Sequence, residues 1–275
     1  MNGTDLDFPA LIDKFLLGRR DAEGNREIVG NATWRGSKLG SCLRQQYIEF
    51  FLKQPKLEQF SATTLRRFEV GHAWSAIFKG WFEDMGLLAH EEMEFFDADL
   101  DVGAHADFLL GIEGKLIAGI ELKSVNSKAF WYRAKQADTT ASPENMMQTA
   151  LYDILARKQG IEIPWYVVTV SKDDLQMNQD QVTQAHRDEA LARLATLNEA
   201  KLLGVPPPCS CMDPNGAFNG NGWKWCPYSE SSDDAKTTSV SQKIEGETYA
   251  NGKPKYSKKY IPDGECCAVK EVAHV

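Results

Sequence analysis

The sequence predicts an α/β fold in which a mixed central β-sheet is flanked by helices. Two observations lead to this prediction. Long amphipathic segments enclose three short segments with alternating polarity, and a helix, a strand and another helix follow them. Elements in this order pack as layers around one sheet. The 275 residues are 43% hydrophobic and 25% charged, so the chain can bury a sizeable core.

Helices are predicted where apolar side chains recur at helical spacing. These segments are 8–17, 39–53, 61–86, 143–159 and 178–202. Strands are predicted where apolar and polar residues alternate or β-branched residues cluster. These segments are 90–97, 103–110, 115–124 and 164–170. Ser61 and Ser142 are candidate N-caps, and we expect the first three strands to form an antiparallel meander.

Composition divides the chain into three parts. Residues 1–38 form a predicted N-terminal helix and loop, and residues 39–228 carry the predicted sheet and four of the six cysteines. Residues 229–275 are polar and contain few large apolar side chains, which predicts a flexible tail. We expect the chemistry of the protein to lie in the central part.

The formal net charge is −8, which argues against a protein that coats nucleic acid through a broad basic surface. It leaves room for an enzyme that holds DNA in one local groove, and basic residues do cluster between Lys123 and Lys135. The N-terminus lacks a basic and apolar leader, and the chain contains no apolar run of membrane-spanning length. We therefore expect a cytoplasmic protein without a membrane segment.

Two carboxylates and an amine are predicted to meet on neighbouring strands. Asp107 lies at the end of one strand, and Glu121 and Lys123 lie on the next. Side chains alternate across a strand, so Glu121 and Lys123 share one face, which Asp107 can also join. Two carboxylates suit Mg²⁺ or Mn²⁺ with positions left for a phosphate. The alternative is an ordinary surface Glu-x-Lys pair on an amphipathic strand.

The spacing of these residues resembles a known family. Asp107, thirteen intervening residues and then Glu121-x-Lys123 is similar to the PD-(D/E)XK nucleases. His72 on the preceding helix is similar to the metal-binding histidine of the RecB-like branch. The resemblance implies a restriction-endonuclease-like core in which His72, Asp107, Glu121 and the Leu122 carbonyl bind the metal ion. It also implies that Lys123 manages the attacking water.

A second motif follows on the next helix. Gln148 and Tyr152 are four residues apart, so they lie on one helix face. They resemble the Q-x-x-x-Y motif of RecB-like nucleases. The resemblance implies that both side chains take part in the active site by positioning substrate or metal ligands.

The cysteines extend the resemblance. Cys42 precedes the predicted nuclease core, and Cys209, Cys211 and Cys226 follow it. This order is similar to iron–sulfur RecB-like nucleases, including the CRISPR-associated and AddB-type proteins and bacteriophage relatives. It implies a four-iron four-sulfur cluster and a cysteine-bound strap joining the N- and C-terminal parts. The C-x-C pair stands where C-x-x-C is usual, and four thiolates also suit Zn²⁺.

Together these features predict a metal-dependent DNA exonuclease acting at single-stranded ends. The expected setting is recombination, repair or phage DNA processing in a bacterial, archaeal or phage-infected cell. A recombinase, a helicase or an adaptation protein would be a fitting partner. Two alternatives stay open: an endonuclease with the same fold, and a DNA-end-binding subunit without catalytic activity.

Overall fold

The computed structural model describes residues 7–23, 29–53, 61–137, 139–210, 237–248 and 254–262. Its helices are α1 (Phe8–Glu23), α2 (Leu43–Gln46), α3 (Ala62–Asp84), α4 (Ser127–Ala137), α5 (Pro143–Lys158) and α6 (Gln184–Leu203). Its strands are β1 (Trp34–Arg35), β2 (Leu88–Asp97), β3 (Val102–Ile112), β4 (Lys115–Val125), β5 (Trp165–Ser171), β6 (Met177–Gln181), β7 (Thr237–Thr248) and β8 (Pro254–Pro262).

The chain divides into two compact units. The first comprises residues 1–40 and 59–195, and the second comprises residues 41–58 and 196–275. The first unit contains the mixed sheet, with strand order β1-β3-β4-β5-β6 and β2 paired to β3. Strands β2, β3 and β4 form the expected antiparallel meander, and β5 runs parallel to β4. The predicted fold class is therefore confirmed.

Helices cover both faces of the sheet. Phe78 and Phe82 of α3 pack against side chains of β3 and β4 on one face, including Phe108 and Leu122. Helix α5 lies on the other face, where its Tyr152 ring packs against Trp165 of β5. Because α5 contacts four strands of the sheet, it is buried over most of its length.

The N-caps of α3 and α5 follow the sequence prediction. The Ser61 hydroxyl accepts a hydrogen bond from Thr64 N–H at 3.2 Å at the start of α3. The Ser142 hydroxyl accepts one from Asn145 N–H at 3.2 Å at the start of α5. Each cap satisfies an N–H group that would otherwise lack a helical partner.

Three predicted helices have different bounds in the structure, and one helix was missed. The helix expected over 178–202 begins only at Gln184, because the preceding residues form the edge strand β6. Helix α4 was not predicted. Helix α1 continues to Glu23, well past the expected end at residue 17. The helix expected over 39–53 starts at Leu43 and ends in a π-helical turn at Phe51.

The second unit contains α2, the last turns of α6 and a β-hairpin. Strands β7 and β8 pair antiparallel within the segment interpreted as a polar tail. The sequence did not predict these strands, and the domain boundary at residue 229 stays a prediction. Within the ranges that the structure describes, no helix has the length and apolarity to cross a membrane.

Candidate active site

Strands β3 and β4 separate at the predicted site. Their paired register runs from Ile112–Lys115 to Phe108–Ile120, so Asp107 and Glu121 follow directly after the last pair. Beyond this point β3 remains paired with β2, and β4 remains paired with β5. The Asp107 carboxylate accepts a hydrogen bond from Leu122 N–H at 2.8 Å. A side chain thus takes the place of a ladder partner where the sheet divides.

Glu121 and Lys123 form an ion pair at this fork. Only 1% of the Glu121 side chain is exposed, against 30% for Lys123. The Oε1 atom of Glu121 contacts Lys123 Nζ. The Oε2 atom of Glu121 is buried without a hydrogen-bond partner among the described residues. An unsatisfied buried carboxylate oxygen is costly. Glu121 Oε2 is therefore an available ligand atom.

The pKa values show how strongly the three groups interact. Burial raises the Asp107 pKa above its usual value, although Lys123 and the Leu122 N–H group partly offset this effect. Burial raises the Glu121 pKa to about 8; the positive charge of Lys123 opposes this shift and the Asp107 charge adds to it. Burial alone would lower the Lys123 pKa, but attraction to Glu121 and Asp107 outweighs burial and raises it. Lys123 therefore stays charged, while the Asp107 charge disfavours ionisation of Glu121.

Gln148 and Tyr152 support Glu121 from α5. Gln148 Nε2 donates a hydrogen bond to the Tyr152 hydroxyl at 2.5 Å. Burial and the negative charge of Glu121 and Asp107 raise the Tyr152 pKa well above its usual value, so the phenol stays neutral. The Tyr152 ring packs against Trp165, with 5.9 Å between ring centroids. The structure thus brings Gln148 and Tyr152, the two residues predicted on one helix face, next to the predicted carboxylates.

Gly119 allows this packing. It lies opposite Trp165 in the parallel β4–β5 register. A Cβ atom at position 119 would come within 2.4 Å of the indole ring. A larger residue would displace Trp165 and, with it, the ring of Tyr152. Gly119 therefore belongs to the framework of the site although it carries no functional group.

The donor set fits a hard divalent cation. Two carboxylates on adjacent strands supply oxygen ligands, and one of them has an oxygen without a partner. Mg²⁺ typically uses one or two protein carboxylates and completes its shell with water and phosphate. The described residues contain no group of three His, Cys, Asp or Glu side chains that could share one ion. The cation would accordingly rely on substrate and water for its remaining ligands.

The structure does not place His72 with these carboxylates. His72 is exposed on α3, the helix that packs on the opposite face of the sheet through Phe78 and Phe82. Its role as a metal ligand stays a prediction, as does that of the Leu122 carbonyl.

Two of the four predicted cluster cysteines lie together in the second unit. Cys42 Sγ and Cys209 Sγ are 3.9 Å apart, although 167 positions separate them in the sequence. Cys211 and Cys226 lie outside the described residues. The structure thus brings together one cysteine from before the sheet and one from after it.

Two polar residues at the same face were not predicted. Thr169 on β5 lies in register with Lys123, and its buried hydroxyl has no hydrogen-bond partner among the described residues. Asp180 on β6 lies in register with Val167, which itself lies opposite Glu121. The sequence signal for Thr169 is a hydroxyl inside an otherwise apolar parallel strand. No comparable sequence signal marks Asp180. Its segment was predicted to be helical, so a place on the sheet was not expected.

No protein-family model matches the chain, and no curated protein matches it. Among solved structures, that of SSO0001 aligns at 14% identity with a TM-score of 0.47, covering 82% of this chain and 96% of that one. The alkaline exonuclease LHK-Exo from Laribacter hongkongensis aligns at 18% identity with a TM-score of 0.42, covering 62% and 90%. The LHK-Exo complex with dAMP gives 14% identity and a TM-score of 0.45, covering 62% and 89%. We therefore infer the function of this chain from the side chains of its site.

Proposed function

We propose that this protein is a metal-dependent DNA exonuclease of the PD-(D/E)XK superfamily, in its RecB-like branch. Its substrate would be single-stranded DNA ends in recombination, repair or phage DNA processing. One observation carries the proposal. The buried Glu121 carboxylate, with an oxygen lacking a partner, meets Asp107 and Lys123 where β3 and β4 separate. Such an arrangement is costly to fold and is useful for chemistry on a phosphodiester.

Asp107, Glu121 and the Leu122 carbonyl would hold Mg²⁺ or Mn²⁺, with water and the substrate phosphate as the remaining ligands. When bound, the ion polarises a phosphoryl oxygen and lowers the pKa of a coordinated water. Lys123 keeps its positive charge beside the two carboxylates. That charge can orient the attacking water and offset the negative charge that develops on the phosphate.

Gln148 and Tyr152 act as positioning residues in this proposal. The neutral Tyr152 hydroxyl interacts with Glu121. Gln148, one helical turn earlier, donates a hydrogen bond to that hydroxyl. The pair would fix the orientation of the carboxylate rather than react with DNA. Their removal should therefore cost less activity than removal of a carboxylate.

The test is cleavage of end-labelled oligonucleotides with Mg²⁺, with Mn²⁺ and with a chelator. We expect single-stranded linear DNA to be degraded from its ends with either ion and to be stable with the chelator. A circular single strand distinguishes the alternatives. Its cleavage would indicate an endonuclease of the same fold, whereas binding to DNA ends without cleavage of any substrate would indicate a non-catalytic subunit.

The cysteines support a second metal centre in the second unit. We include a four-iron four-sulfur cluster bound by Cys42, Cys209, Cys211 and Cys226, with zinc as the alternative. Two thiolates on one tetrahedral zinc ion lie about 3.8 Å apart, given a bond of about 2.3 Å. The 3.9 Å between the Cys42 and Cys209 sulfur atoms fits that spacing, which supports the zinc alternative. Either metal would tie two distant parts of the chain together.

Metal analysis of anaerobically purified protein distinguishes these outcomes. A brown protein with broad visible absorption supports the cluster, and a colourless protein with stoichiometric zinc replaces it by a zinc site. Cys42→Ser should release the metal and lower the unfolding temperature, while Cys266→Ser serves as the matched control outside the proposed set. A stable wild-type protein that contains neither metal would refute the second centre.

A further inference from the structure

A cavity lies on the same face of the sheet as Glu121. Its volume is about 530 Å³, and it is bounded by α4, the segment leading into α5, β6 and the start of α6. Its volume falls in the range of small-molecule and nucleotide pockets. None of the predicted catalytic residues lines it. The cavity therefore requires its own explanation.

The sheet fixes the distance between this cavity and the catalytic carboxylates. Glu121, Val167 and Asp180 occupy one row across β4, β5 and β6, and Asp180 lines the cavity. Side chains of directly paired residues point to the same face. Two strand spacings place the Asp180 and Glu121 Cα atoms about 10 Å apart. A nucleotide near a phosphate held at Glu121 can reach the cavity.

The lining suits a flat and largely apolar group. Met146 and Met147 of α5 provide flexible apolar surface, and Tyr132 of α4 provides an aromatic ring that is 62% exposed. The Asp180 carboxylate is held in place by Thr140 and Ala141, whose backbone N–H groups donate at 3.1 and 2.9 Å. A carboxylate repels phosphate but accepts hydrogen bonds from amino groups of bases.

Two further polar groups have defined orientations. His186 Nδ1 accepts a hydrogen bond from Thr183 N–H at 3.1 Å, so the neutral ring carries its proton on Nε2 and can donate from there. Burial, together with the Arg187 charge, lowers the His186 pKa and favours this neutral form. Arg133 donates to the Thr140 carbonyl at 3.2 Å and lines the same cavity. The cavity thus offers donors and an acceptor around an apolar floor.

The outer face of α4 suits the sugar–phosphate backbone. Lys128, Tyr132 and Lys135 follow each other at spacings of four and three, so they lie along one side of the helix. Both lysines are exposed. Cations beside an exposed aromatic ring are typical of surfaces that bind single-stranded nucleic acid. Helix α4 also begins four residues after Lys123, which places this surface beside the proposed catalytic site.

We propose that the cavity receives one unpaired nucleobase of the DNA strand that is being cleaved. The base would stack on Tyr132 against the methionine floor, with its polar edge towards Asp180 and His186. The phosphates on either side would stay outside, near the lysines of α4. This inference rests on the proposed nuclease function and assigns it an unpaired strand as substrate, because a paired base cannot enter the cavity.

The test is an abasic scan of a short single-stranded oligonucleotide. Each position in turn loses its base, and binding to the full-length protein is measured by fluorescence anisotropy in Ca²⁺, with gels confirming that the DNA stays intact. We expect one position near the scissile phosphate to weaken binding about fivefold or more when its base is removed. The other positions should show small and even effects.

Tyr132→Ala then links that position to the cavity. The variant should bind intact DNA about fivefold more weakly and should lose the sensitivity to the one abasic position. Trp81→Ala is the matched control, since it removes a half-exposed aromatic from α3 on the opposite face of the sheet; it should keep the wild-type profile. Wild-type and Tyr132→Ala proteins with the same flat profile would overturn the base pocket while leaving a demonstrated nuclease activity intact. A wild-type protein that neither binds nor cuts DNA would overturn both proposals.

Discussion

The two faces of β4 are built from alternating residues of one short segment, and they differ completely. Ile120 and Leu122 point towards α3 and join an apolar cluster with Phe82. Glu121 and Lys123 point towards α5 and form an ion pair in which the carboxylate is buried. The apolar face stabilises the fold through removal of surface from water, whereas the charged face opposes folding through desolvation. The comparison indicates that stability and chemistry occupy opposite sides of the same strand.

The largest expected effect is loss of cleavage on the charged face. Glu121→Gln and Asp107→Asn keep the shape of each side chain but remove the charge that would hold the metal ion. We expect cleavage to fall by about 10³-fold or more, with no loss of secondary structure by circular dichroism. If either variant cleaves DNA at close to the wild-type rate, the proposed catalytic site is wrong.

A substitution on the apolar face should have the opposite effect: it should lower stability and leave kcat unchanged. Phe82 is buried and its ring lies 5.4 Å from that of Phe108. Phe82→Ala should lower the free energy of unfolding by about 3 kcal/mol because it removes the ring and leaves a cavity. The protein that remains folded should retain its kcat, as measured by denaturant titration alongside cleavage assays. A selective loss of kcat without loss of stability would contradict the division between the faces.

The charged face should also make the metal-free protein sensitive to pH. The Glu121 pKa is about 8 in the folded chain against an ordinary value of 4.5, so the folded state binds the extra proton between these values. Stability should therefore fall as the pH rises from about 5 to about 8, by on the order of 1 kcal/mol per pH unit at most. Glu121→Gln should remove this contribution. Equal slopes for both proteins in urea titrations would show that Glu121 does not titrate in this way.

The smallest expected effect on cleavage comes from Tyr152 and Gln148, which support the Glu121 carboxylate from α5. Tyr152→Phe keeps the ring that packs on Trp165. It removes only the hydroxyl, which accepts a hydrogen bond from Gln148 and interacts with Glu121. We expect kcat to fall about tenfold while the metal titration changes little. Gln148→Leu should resemble it. A Tyr152→Phe variant with no measurable metal binding would instead make the hydroxyl part of the metal site.

The meander and the core of the site could be predicted because their signals are local. Alternating polarity identifies β3 and β4, and the spacing from Asp107 to Glu121 matches one hairpin of that meander. The helix carrying Gln148 and Tyr152 has a serine cap and continuous apolar periodicity. Each of these patterns is readable within about one element of the chain.

The remaining features depend on register between distant segments. Thr169 and Asp180 join the site only because β5 lies parallel to β4 and β6 closes the edge. The β6 sequence is polar and short, as is usual for edge strands, so it resembled the start of the helix that follows. Helix α4 escaped prediction because its aromatic and basic residues lack a long apolar stripe. Local patterns do not encode these long-range pairings.

The order of these elements along the chain also sets an order for folding. Strands β2, β3 and β4 pair with neighbours in sequence, so they can form before α5 and β5 arrive. Until α5 docks, Asp107 and Glu121 remain hydrated at the open end of the meander. The two carboxylates therefore lose their water only in the step that packs Tyr152 of α5 onto the sheet. A divalent cation that binds the closed site more tightly than the open meander would favour that step, so the ion proposed for cleavage would also stabilise the folded chain.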